Sequence, residues 1–82
     1  MTNKTIHIQY YALLREERGV SKETLESKVN TAEELYLTLQ KQYNFRLATD
    51  ILRVSINNEY ADWKTQLQNN DNIVFIPPVA GG

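Results

Sequence analysis

The residue types that could do chemistry in this chain are few. His7 is the sole histidine, and it falls on the polar side of an alternating run with no acidic or nucleophilic neighbour in sequence. A solvated or hydrogen-bonded imidazole explains it better than a general base, which needs a reacting partner within hydrogen-bond reach. Ser21, Ser27 and Ser55 lack the strand-to-helix elbow that exposes a nucleophilic serine. Glu16-Glu17 and Glu33-Glu34 fall at helix surfaces or first turns, where solvent and the helix dipole account for them. A turn accounts for Asp71. The glycines are Gly19, Gly81 and Gly82, so no glycine-rich phosphate cradle is encoded. There is no cysteine, which excludes disulfides, thiolate metal sites and cysteine nucleophiles, and one histidine is too few for most metal sites.

What remains is the stretch Asn72-Ile73-Val74-Phe75-Ile76-Pro77-Pro78-Val79-Ala80-Gly81-Gly82, which contains no ionisable side chain. Its only charge is the α-carboxylate of Gly82. Ile73 to Ile76 is too short for a lone helix and rich in strand formers. Apolar residues at alternate and intervening positions predict a central strand covered on both sides, or nearly so. Pro77 and Pro78 cannot donate ladder hydrogen bonds, so they stop the strand and hold its exit extended. Fully extended, Val79 to Gly82 spans roughly 13–14 Å, enough to reach into another protein. Gly81 and Gly82 have no Cβ and can pass a narrow slot. A terminal Gly-Gly alone reads equally as a frayed end; joined without a spacer to Pro-Pro-Val and a core strand, it reads as a working arm. The carboxylate is inert until activated by a leaving group that another protein supplies. Such an arm belongs to a carrier or modifier rather than to a free-standing enzyme.

The elements that must hold this arm follow from periodicity. Ile6, Ile8 and Tyr10 alternate with His7, Gln9 and Tyr11, the period of a half-buried strand. Tyr11 faces away from the Ile6, Ile8, Tyr10 side and is placed to join an exposed apolar patch with the root of the arm. Ala12 to Arg18 is a short helix-forming run closed by Gly19. Lys22 to Ser27 is a polar edge strand. Thr31 with Glu34 forms a capping box for a helix from about Ala32 to Tyr43, whose apolar stripe is Ala32, Leu35, Leu39 and Tyr43 with Tyr36 beside it. Asn44 ends that helix, and Phe45 to Ile51 is loop with room for one helical turn. Leu52, Val54 and Ile56 alternate as a further strand, Asn57-Asn58 is hairpin chemistry, and Glu59 to Ala61 returns. Trp63 and Leu67 cover the core from the next loop, and Asn69-Asn70-Asp71 turns into the final strand. The five tyrosines, two phenylalanines and one tryptophan are mostly core by spacing rather than a base-stacking platform, with Tyr11 the exception. This order predicts an α+β fold with one mixed sheet around the long helix and the final strand in its middle.

At 82 residues the chain is one domain, residues 1–82, that buries roughly 60–65% of its unfolded surface. Nine Lys and Arg against ten Asp and Glu give a formal net charge of −1, the wrong electrostatic footprint for a nucleic-acid binder. No apolar run approaches a membrane span and no apolar leader is present, so the expectation is a cytoplasmic protein without membrane or nucleic-acid partners.

Three segments resemble the family of small, sulfur-carrying subunits of molybdopterin synthase. They are Tyr11-Ala12-Leu13-Leu14-Arg15-Glu16, Val54-Ser55-Ile56-Asn57-Asn58-Glu59-Tyr60, and above all Asp71 to Gly82. The resemblance implies the ubiquitin-like β-grasp fold, which agrees with the element order. It also implies that an E1-like enzyme uses ATP to adenylate Gly82. Sulfur from a persulfide donor then makes a thiocarboxylate, and the tail Val79, Ala80, Gly81, Gly82 threads into the large synthase subunit. There it gives sulfur to cyclic pyranopterin monophosphate and builds the dithiolene of the molybdenum cofactor. The small subunit is then a non-catalytic member of a heterotetramer and binds no cofactor or metal itself. Three positions depart from the family pattern: Ala80 for Ser or Thr, Asn70 for a turn glycine, and Tyr11 for Phe. On this resemblance, and on the exposed position of Tyr11, the partner interface is expected at Tyr11, Ile76, Pro77, Pro78 and Val79, with Arg15 as a charged neighbour.

Two other readings share the Gly-Gly end. One is the related sulfur carrier of thiamin synthesis, against which Pro77-Pro78-Val79 argues. The other is a ubiquitin-like modifier joined to lysines through Gly82. In either case residues 78–82 are expected to be flexible in the isolated protein, because small side chains bury too little to offset an ordering cost of about 1–2 kcal/mol per residue.

Overall fold

The alternating run around Ile6, Ile8 and Tyr10 is strand β1, Lys4–Tyr10, in the computed structural model of the chain, which describes residues 3–78. Helix α1, Ala12–Arg18, ends at Gly19 with a left-handed backbone at φ 87°, the conformation expected of a glycine after a helix. Strand β2, Lys22–Ser27, and helix α2, Ala32–Tyr43, follow. Then come a 3-10 turn at Thr49–Ile51, β3 at Arg53–Ile56, β4 at Glu59–Ala61 and β5 at Asp71–Ile76. The five strands form one sheet in the order β2-β1-β5-β3-β4, with β5 in the middle as its composition predicts. β5 runs parallel to β1 and antiparallel to β3, so the sheet is mixed.

Local chemistry accounts for the boundaries. Thr31 Oγ1 accepts the Glu34 amide at 3.2 Å, while the Glu34 carboxylate reaches past the cap residue to accept the Asn30 amide at 2.7 Å. The reciprocal half of the capping box is therefore displaced by one residue. Asn44 ends α2 at φ 59°. Asn57 and Asn58 both take positive φ, 54° and 72°, the pattern of a two-residue primed turn. That turn sets Val54 against Ala61 and Ser55 against Tyr60.

α2 lays Ala32, Leu35, Tyr36 and Leu39 on one face of the sheet, against Ile6, Ile8, Tyr10, Val54, Ile73 and Phe75. Phe75 is fully buried, edge-on to Tyr36 at 5.1 Å and stacked with Trp63 at 6.1 Å between ring centroids. Leu67 is buried as well. Burial pushes the Tyr36 phenol up to about 12, with the nearby Glu17 charge adding to the shift; its hydroxyl donates to the Leu47 carbonyl at 2.6 Å.

The expectation that β5 is covered on both sides is corrected. Ile73 and Phe75 are buried under α2, but Val74 and Ile76 are only half-buried on the opposite face. Among the described residues there is one long helix, and it occupies the other side. On the face opposite α2, Val74 is flanked by Gln9 of β1 and Ser55 of β3, and Ile76 by Arg53 of β3.

Asp71 also does more than close a turn. It is 6% exposed, accepts from Asn57 Nδ2 at 2.9 Å and from the Gln68 amide at 2.7 Å, and so ties the β3–β4 hairpin to the start of β5. Asn70, at φ 70°, donates its amide to the Thr5 carbonyl and joins the same corner to β1. At the other end of the sheet Arg18 holds Glu23 with two hydrogen bonds, at 2.8 and 3.0 Å, and stacks over Tyr43. The Tyr10 hydroxyl donates to the same carboxylate.

Candidate functional site

β5 delivers the candidate site. Its first residue is fixed by the Asp71 network, its middle is paired on both edges, and its last residue, Ile76, lies opposite Arg53 of β3. Pro77, half-buried, and Pro78, exposed, continue directly from it. The root of the arm therefore leaves from the middle of a rigid sheet. Val79, Ala80, Gly81 and Gly82 lie outside the described residues, and so does most of the segment expected to be flexible.

Beside this root the open face of the sheet carries a shallow depression of about 320 Å³ lined by Tyr11, Ser55, Asn58, Tyr60, Val74 and Ile76. Parity builds it: with Val54 and Phe75 turned to α2, Ser55, Val74 and Ile76 must face the other way. Tyr60 pairs with Ser55, and Tyr11 follows directly on the last register pair of β1, Tyr10 with Phe75. Tyr11 is 45% exposed and Tyr60 73%, two large apolar surfaces left to solvent on the same face. None of the six lining residues is charged at neutral pH.

Of the residues expected at an interface, Tyr11 and Ile76 are brought together here. Arg15 is exposed on α1 and does not line the depression. Tyr60, core by spacing with the other aromatics in the sequence, is corrected: it is 73% exposed on the open face. The sequence weighs Ser55 only as a nucleophile and does not single out Arg53. The signal for the first two was available, since a two-residue turn at Asn57-Asn58 sets Ser55 opposite Tyr60, both outward once Val54 and Ile56 are placed inward. Arg53, exposed, stands across from Ile76 at the tail root and needed the β3–β5 register to find.

The acid–base candidates are placed by structural bonds. His7 Nδ1 lies 3.0 Å from Thr24 Oγ1 across the β1–β2 pair. Glu17 accepts the Arg46 amide, and Glu33 pairs with Lys64 at 2.8 Å. Glu23 is held below the usual glutamate range chiefly by its Arg18 hydrogen bond, with burial opposing and the Tyr10 hydroxyl assisting. Its pull, after burial, raises the Tyr10 phenol well above the ordinary tyrosine value. Among the described residues no group of three or more acidic or histidine side chains is gathered to hold a metal, and no helix is long and apolar enough to cross a membrane.

Three solved structures illustrate the likeness of the fold. The small archaeal modifier protein 1 from Methanosarcina acetivorans superimposes with a TM-score of 0.77 at 21% identity, covering 100% of both chains. A putative molybdopterin converting factor subunit 1 from Pyrococcus furiosus gives 0.77 at 22% identity, over 93% of this chain and 99% of that one. A chain from the complex of subunits 1 and 2 of the molybdopterin-converting factor of Helicobacter pylori gives 0.64 at 24% identity, over 95% and 99%. No curated protein matches the sequence. The sequence profile of the ThiS family, however, matches residues 8–82, and with two helices and a five-stranded mixed sheet of ubiquitin-like β-grasp form the chain belongs to that family of small sulfur-carrier domains.

Proposed function

We propose that the chain is the sulfur-carrying subunit of a molybdopterin synthase and acts through the α-carboxylate of Gly82. One observation carries this reading. The sheet's most central strand, anchored at its start and on both edges, runs directly into Pro77-Pro78 and an uncharged arm to Gly82. An arm of this length gives a terminal group a reach of at most roughly 13–14 Å past Pro78. On this reading, an E1-like enzyme joins a carboxylate oxygen to the α-phosphorus of ATP, releasing pyrophosphate. The outer sulfur of a donor persulfide displaces AMP to give an acyl disulfide. A second thiol of the donor then cleaves its S–S bond, leaving a donor disulfide and releasing the thiocarboxylate, a soft nucleophile. Threaded into the large subunit, the arm gives up that sulfur to cyclic pyranopterin monophosphate. The open face around Tyr11, Tyr60 and Ile76 is the surface that docks, and Pro77-Pro78-Val79 favours molybdopterin over thiamin synthesis.

A second reading is supported by the likeness to a small archaeal modifier protein: Gly82 joined to target lysines. Intact mass of the protein from its own cell separates the two, since the carrier shows replacement of one oxygen by sulfur and the modifier shows high-mass conjugates.

The decisive test places one residue after Gly82, converting the reactive carboxylate into an amide. That variant is expected to fold and dock as the wild type does, yet to accept neither AMP nor sulfur. Gly81→Ala, with a Cβ inside the threaded segment, slows transfer by on the order of 10–100-fold. The measurement is conversion of the pyranopterin precursor by the large subunit with each variant. Wild-type yield from the extended chain overturns the carrier reading.

A further inference from the structure

Ser55 is the unusual member of the docking depression. It is 8% exposed, yet its side chain is on the open face, between Tyr60 of β4 and Val74 of β5 in register. Two large neighbours wall in a small one, so the hydroxyl forms the floor of the depression. Among the described residues no side-chain hydrogen bond forms at that hydroxyl or at Asn58 on the rim, and since no sealed side-chain polar atom lacks a partner, both are open to solvent. In the free protein water reaches both through the mouth of the depression. A partner lying across Tyr11, Tyr60 and Ile76 expels that water. A hydroxyl desolvated without a replacement bond makes docking less favourable, and burying a charge in an uncharged site does so far more.

We propose that Ser55 fixes the chemistry of what the depression accepts: one uncharged group of the partner protein, an apolar body ending in a hydrogen-bonding atom that pairs with the Ser55 hydroxyl. The proposal deepens the docking assignment of the open face and rests on it. A volume of about 320 Å³, at the low end of binding pockets, suits a single inserted side chain. The apolar walls hold its body, while Ser55, with Asn58 beside it, reads its tip. An ordinary apolar patch would accept an aliphatic anchor equally well; this one discriminates against it.

The test is titration of the large synthase subunit from the same organism with wild type, Ser55→Ala and Tyr60→Ala. Ser55→Ala leaves the partner's polar tip unpaired in the closed interface, so Kd is expected to rise roughly tenfold or more. The melting temperature is expected to move by no more than about 3 °C, because no bond within the chain is lost. Since no charge is involved, the loss has the same size at ~0.05 M and ~0.5 M salt, unlike the loss on removing an exposed arginine. If Ser55→Ala binds as well as wild type or better while Tyr60→Ala binds weakly, the face docks but the hydrogen-bond assignment is overturned. If neither variant weakens binding, the docking assignment of the face falls too. A loss of affinity in Ser55→Ala accompanied by a melting point more than about 5 °C lower makes Ser55 a structural residue and overturns the proposal.

Discussion

The two faces of the sheet are made by the same strands, often by adjacent residues, and they do opposite work. On the face under α2, Phe75, Ile73, Val54 and Tyr10 are sealed from water and touch one another through ring and aliphatic contacts. On the other, Ile76, Val74, Ser55 and Tyr11 line a depression that nothing covers among the described residues. The difference teaches where stability and recognition are separated: one step along a strand moves a side chain from the core to the docking surface. A substitution at Phe75 therefore reads out folding, and one at Ile76 reads out binding.

The sharpest way to break that division is to truncate both. Phe75→Ala is expected to cost about 3–5 kcal/mol, because it opens a cavity among Tyr36, Trp63 and Tyr10. Ile76→Ala, one residue on, should cost no more than about 1 kcal/mol and instead weaken docking. Urea unfolding of both variants checks the pair; equal losses of stability would mean that the faces are not independent.

An intermediate effect lies at the Arg18–Glu23–Tyr10 cluster, which braces the edge of the covered face. Glu23→Ala removes a two-point charged contact and strands the Tyr10 hydroxyl, at a cost of about 2 kcal/mol. The sign of its pH dependence follows from the lowered Glu23 value. A carboxyl held lower in the folded chain than in the unfolded one contributes stability above the unfolded value, about 4.3, and loses it as pH falls through the folded value. Wild type should thus lose stability between about pH 5 and pH 3 more steeply than Glu23→Gln. Parallel curves for the two proteins over that range would remove Glu23 from the account.

The smallest expected effect sharpens the comparison from the helix side. Thr31→Ala deletes the side-chain cap on the Glu34 amide and should cost about 1 kcal/mol. It lies in the layer that covers the sheet, so partner affinity should stay at the wild-type value. A changed Kd would show that the covered face communicates with the open one.

The sequence by itself determined whatever depends on neighbours a few residues apart. The Thr31 cap, the Gly19 and Asn44 helix ends and the Asn57-Asn58 turn rest on contacts spanning five residues or fewer. The inward positions of β1 and β3 and the Pro77-Pro78 stop follow from alternation and missing N–H donors along the chain itself. The central place of β5 was legible too, from its unbroken apolar run. What only the tertiary structure decided is what lies across the sheet. Val74 and Ile76 are as apolar as Ile73 and Phe75, yet their face is open, a distinction that composition cannot carry. Asp71 is a buried cross-link as well as a turn residue because Asn57 meets it from the β3–β4 turn. Tyr60 and Ser55 reach the tail root through registers linking 60 to 55 and 55 to 74. The first pairing spans a single turn and is legible, but the second joins residues far apart in the chain, and side-chain direction reverses with each single step of register. Before the strands are paired, therefore, the depression does not exist as a pattern that can be read.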